Sequence, residues 1–166
     1  MLKKYLNNKG FSLPELLIVV LIVITISAIS FNYYRISLEK SKAVEALSVL
    51  RQIADAQMIY YRENRVFTDD ITKLSVNFDG DTTDVTSKYE LKHGLFSYWA
   101  QKPSSSGEKV FNIARAEREN KYEIFAEYNK EEDFLTFKAN ANGSGFTKVN
   151  SIDRKIVETI NSNGKL

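Results

Sequence analysis

The chain has 166 residues, a formal net charge of +2, no cysteine and a single histidine, His93. That length leaves room for one membrane helix and one modest domain. It excludes a disulfide-stapled scaffold, so a core must hold by packing or by a metal, and one histidine leaves little for a catalytic histidine site.

Residues 1–10 form a short basic leader with Lys3, Lys4 and Lys9. Removing these three lysines leaves a nearly neutral chain, so the net charge gives no argument for a nucleic-acid partner. Leu16 to Tyr34 is a run of 19 residues without a charge. As helix it measures about 28 Å, close to a hydrocarbon core of about 30 Å. The leader lysines place the N-terminus in the cytoplasm by the positive-inside rule; the far flank is mixed, with Arg35, Glu39, Lys40 and Lys42. At the mouth of the run stand Gly10, Phe11, Pro14 and Glu15. Pro14 suits a first helical turn, and Glu15 suits the positive end of the helix dipole. A carboxylate at the edge of an apolar segment is costly and reads as functional.

A basic leader ending in Gly10, then Phe11, Glu15 and an unbroken apolar helix resembles the class III signal sequence of type IV pilins and pseudopilins. The resemblance implies cleavage after Gly10 by a membrane prepilin peptidase and N-methylation of Phe11. It also implies assembly on an inner-membrane platform into a homo- or hetero-filament. Glu15 of one subunit is then expected to neutralise the new amine of Phe11 on its neighbour and set the axial register. The competing reading is an ordinary secretory signal, for which Ala28-Ile29-Ser30 is an acceptable small-x-small site. The apolar run is long for that, and Glu15 opens it. Many relatives close a C-terminal loop with a disulfide, which this chain cannot.

Residues 36–64 continue the helix. Ala43, Ala46, Leu47, Leu50, Ile53, Ala54, Met58 and Tyr61 share one side of the wheel, and Glu45, Ser48, Arg51, Gln52, Asp55 and Arg62 fill the other. No Pro or Gly occurs between Pro14 and Gly80, so one helix is expected from about Leu13 to Asn64. Val44 and Ile59 are misfits on its polar side and become candidate subunit-interface residues. Residues 65–88 read as a loop with a short helical turn near Asp70–Leu74. Asp79, Asp81 and Glu90 echo a calcium loop, but Asp84 stands where that template needs glycine, so a solvated turn is the expectation and no metal or other cofactor is assigned.

Four strand candidates follow: 89–101, interrupted at His93-Gly94; 109–116, after a Pro103–Gly107 turn; 121–129; and 134–140. Alternation between short turns argues an antiparallel meander buried on one face, packed on the stripe around Leu47 and Leu50. Ile152, Ile156 and Ile160 at four-residue steps argue a short C-terminal helix in the region 141–166. The aromatic content fits a sheet–helix core better than electron conduction. Ser104–Ser106 with His93 is no catalytic signature, and an enzyme is not expected.

The fold expectation is therefore α+β: a long N-terminal helix on a four-stranded antiparallel sheet, with a leader at 1–10, a membrane or filament-core helix at 11–35 and an extracytoplasmic head at 36–166. The functional expectation is a pilin-like structural subunit of a type IV pilus or related filament serving adhesion, motility, DNA uptake or secretion. The alternatives are a pseudopilin of a type II secretion system and an uncleaved, membrane-anchored binding module. The expected partners are other copies of the subunit, the peptidase, the assembly platform and the lipid bilayer. The precursor is expected in the inner or cytoplasmic membrane, and the mature subunit in a periplasmic or cell-surface filament.

Overall fold

A computed structural model describes residues 10–76, 84–87, 90–103, 107–141 and 149–163. The architecture is α+β. Helix α1 covers Leu13–Asn64, a 3-10 turn covers Ile71–Lys73, six strands follow, and helix α2 covers Ser151–Asn163. The chain divides into two units, Met1–Ser37 and Leu38–Leu166.

In the first unit the apolar part of α1 is exposed throughout, from Leu16 to Tyr34. It is long and apolar enough to cross a membrane. Its two polar side chains within the apolar stretch before Ala28 are satisfied locally. Thr25 Oγ1 donates to Ile22 O at 2.8 Å and Ser27 Oγ to Val23 O at 2.7 Å. Such back-bonding removes the penalty of an unmatched hydroxyl in an apolar medium.

The second unit holds the sheet, whose strands β1 Asp84–Ser87, β2 Glu90–His93, β3 Phe96–Ala100, β4 Val110–Arg118, β5 Tyr122–Asn129 and β6 Phe134–Asn140 lie in sequence order, each antiparallel to the next. All four strand regions read from the sequence are strands. The interruption at His93-Gly94 is a hairpin that divides 89–101 into β2 and β3. Gly94, at φ 60°, takes the first position of a two-residue turn between His93 and Phe96, the place where a type II′ turn needs glycine. Strand β1 adds to the meander from within the stretch 65–88 that was expected to be loop. The short turn expected near Asp70–Leu74 is the 3-10 turn, capped by Asp70, whose side chain accepts from Thr72 N.

One sheet face is buried against α1. Its centre is a row of small residues, Ala100 opposite Ala114 opposite Ala126. They share one buried core with Ala43, Ala46 and Ala54 of the helix. Tyr98, Tyr122, Ile124, Leu50 and Ile53 fill the volume around that contact and are fully buried. The stripe sits to one side of the one expected from the sequence. Leu47 and Met58 are only half-buried, whereas Val49, Ala56 and Gln57 are buried. The displacement follows from Gln57, a polar residue that no apolar count places inside.

Helix α2 brings Ile156 and Ile160 into the core. It also shields the β6 edge: Asn161 donates through Nδ2 to Ala139 O at 2.9 Å and accepts from Ala139 N at 2.8 Å. One side-chain amide thus supplies the rung that a seventh strand would have made. Asn150 and Asp153 cap the helix start reciprocally, with Asn150 Oδ1 accepting from Ile152 N and Asp153 N, and Asp153 Oδ2 accepting from Asn150 N at 3.0 Å.

Candidate functional site

Gly10 lies before α1, and a Cβ built there meets nothing within 4 Å. No packing in this unit therefore demands glycine at this position. Phe11 is exposed over 77% of its surface and has no described packing partner. Ser12 follows, its O accepting from Leu16 N at 3.1 Å to begin the helix.

Glu15 has a role that the sequence reading missed. Its Oε2 accepts from Ser12 N at 3.3 Å and from Ser12 Oγ at 3.3 Å. This is the reach-back half of a capping box: the residue three positions into the helix satisfies the orphan N–H of the residue that precedes it. The signal was present as Ser12-Leu13-Pro14-Glu15, the Ser-x-x-Glu pattern before an apolar run. Pro14, between the two, contributes no N–H to satisfy. Within one chain, then, the carboxylate is engaged by its own helix start and exposed to solvent.

Val44 and Ile59 stand on the exposed side of the head portion of α1, 47% and 55% exposed. The calcium-like loop with Asp79 and Asp81 lies outside the described residues. Glu90 begins β2, and nothing is described of its side chain. Ser104–Ser106 likewise lie outside. Among the described residues no group of three or more His, Asp or Glu is placed to hold a metal ion.

Three buried polar centres went unread. Gln57 is fully buried; its Nε2 reaches Thr68 O at 2.6 Å, Gln101 O at 3.1 Å and Ile113 O at 3.1 Å, while Oε1 accepts from Thr68 N at 3.2 Å. The Ile113 carbonyl is turned toward this amide at the β4 irregularity between Asn112 and Ala114, where it also accepts from Gln101 N. One side chain thereby ties α1 to the loop after it and to β4. Glu39, expected in a mixed flank, is buried against the sheet. Arg118 meets it through Nε at 2.6 Å and Nη2 at 3.1 Å, and Tyr122 Oη donates to it at 3.4 Å. Burial, with the Glu39 charge next, pushes the Tyr122 hydroxyl far up, which keeps it a neutral donor. Asp153, fully buried, has Lys121 Nζ at 3.5 Å.

The outer sheet face carries a cross-strand row of Trp99, Arg115, Phe125 and Lys138. The Arg115 guanidinium stands 4.2 Å from the Trp99 ring centre. Glu117 and Glu123 pair with Arg115, and Glu127 with Lys138. Burial raises the Glu123 carboxyl above its ordinary range, against the lowering effect of Arg115.

Comparison with known proteins finds no matching family model, no matching curated protein and no matching solved structure.

Proposed function

We propose that the protein is a pilin-like structural subunit, cut after Gly10, methylated at Phe11 and polymerised through the apolar part of α1 into a type IV pilus or related filament. One observation carries the reading. The apolar run from Leu16 to Tyr34, exposed along its whole length, follows Gly10-Phe11 and Glu15, and the same helix goes on to supply the core of a folded head. A cleavable secretory signal has no reason to continue into the core of the domain it exports. Exposed apolar surface on this scale needs lipid or other copies of itself, and a filament subunit uses both in turn.

The partners that follow are the peptidase, the assembly platform, the bilayer and further subunits, and no catalytic role is assigned. The test is processing. In cells that make a prepilin peptidase, the mature chain should begin at Phe11, and Gly10→Val should leave full-length precursor in the membrane. Because a Cβ at residue 10 meets nothing among the described residues, that loss would report the peptidase and not misfolding of the head. A mature chain beginning at Met1 would instead favour the anchored binding module, and one beginning at Phe31 a secreted domain.

A further inference from the structure

At the C-terminal end of α1 lies a cavity of about 340 Å³, lined on its apolar side by the half-buried Tyr61 and Phe111 and by the buried core residues Phe67 and Tyr128. Tyr61 stacks on Phe67 with ring centres 4.5 Å apart and planes at 8°, and Phe111 meets Phe67 edge-on at 5.3 Å. The rest of the lining includes three cations, Arg65, Lys102 and Lys130, against one acid, Glu108. Lys102 is held by Asp69 at 3.2 Å. Among the described residues Arg65 and Lys130 have no ion-pair partner, and both charges stay available.

Arg65 is also conformationally out of place. It takes the left-handed position just past the helix, φ 60°, with its N–H donating to Tyr61 O at 2.8 Å. Glycine is the usual occupant there. Among the described residues the other two non-glycine residues at positive φ are Asn120 and Asp133, types that visit this region readily. A cation at a helix C-terminus also answers the helix dipole, but Arg62 in the last turn already does so. The arginine thus stands where the backbone disfavours it, at the wall of the cavity beside Tyr61.

We propose that this cavity binds an acidic sugar, with a pyranose ring on the aromatic floor and its carboxylate met by Arg65 and Lys130. The volume suits a small ligand and not a helix or a strand. The charge pattern selects a single carboxylate over a polyphosphate. Glu108 is the one acid in the lining, while nearby Glu131 pairs with Lys109 at 2.8 Å and Asp133 accepts from Tyr128 Oη at 2.8 Å, so the two open cations match one carboxylate and not the several charges of a nucleic-acid backbone. Glu108 can also accept from sugar hydroxyls. The inference does not rest on the assembly reading.

The test is ligand-detected NMR on the full chain in detergent micelles, with glucuronate, glucose and oligothymidylate as probes. Glucuronate is expected to bind in the millimolar range, about tenfold more tightly than glucose, because a charge-assisted contact separates the two. Arg65→Gly relaxes the backbone, so the melting temperature should hold or rise while glucuronate affinity falls about tenfold. Arg65→Asn, also at ease at positive φ, serves if the glycine variant folds poorly, and Lys130→Gln should weaken binding in the same direction. The proposal is overturned by absence of glucuronate binding at about 10 mM, by equal affinity for glucose, by unchanged binding in the variants, or by preference for oligothymidylate.

Discussion

At the scale of single residues, Glu15 carries two demands that one experiment can separate. In the isolated chain it caps its own helix through Ser12. In a filament it would answer the Phe11 amine of a neighbour. The capping function tolerates an uncharged acceptor, since Glu and Gln serve alike at that position. The register function needs the charge, because an amine in an apolar core is stabilised by a carboxylate and much less by an amide. Glu15→Gln should therefore assemble as poorly as Glu15→Val, while both insert into the membrane normally. Helical content should differ little, as an exposed capping contact contributes only about 1 kcal/mol. Filaments in normal quantity from Glu15→Gln would show that capping, not neutralisation, is what assembly requires.

At the scale of elements, the packing of α1 on the sheet sets head stability. Leu50 is fully buried in the centre of that contact. A fragment beginning near Ile36 should fold by itself, since the second unit contains the core. Its melting should ignore reductant, as the chain has no cysteine. Leu50→Ala should destabilise it by about 2–5 kcal/mol, measured by urea unfolding, because the surrounding alanines and strands cannot collapse into the space. An effect below about 0.5 kcal/mol would mean that this helix face is not packed in solution. The elements themselves were readable because α1 is an unbroken run without Gly after Pro14, α2 repeats isoleucine at four-residue steps, and Tyr122, Ile124, Ala126 and Tyr128 alternate with a period of 2. The stripe position was not, because apolar counting cannot see Gln57 or Glu39 as interior. Their burial depends on partners distant in sequence, Ile113 and Arg118, that pair with them only after the sheet has formed. Strand β1 was missed for a related reason. Asp84-Val85-Thr86-Ser87 has a single apolar residue, and pairing with β2, not its own pattern, makes it a strand. The capping box at Ser12 was legible and simply overshadowed by the cleavage motif.

At the scale of the whole molecule, the question is which surfaces a filament would cover. Exposed apolar residues are ordinary when scattered. Val44 and Ile59 differ in sitting on one helix, 15 residues apart, among Arg51, Gln52 and Asp55 on its exposed side. That separation is about 22 Å of helix, so a neighbouring subunit could engage both along one contact line. Neither belongs to the head core. Lysine at either position should thus leave the melting temperature of the soluble head within about 2 °C, since surface substitutions of this kind change stability by roughly 0.5 kcal/mol or less. In cells, filament yield should fall, because assembly would bury an unpaired ammonium. The double variant should be the more severe, and Val44→Ile and Ile59→Val, which keep the surface apolar, should assemble normally. Yield unaffected by Val44→Lys and Ile59→Lys together would leave this face of α1 on the filament surface and place the subunit contacts elsewhere on the head.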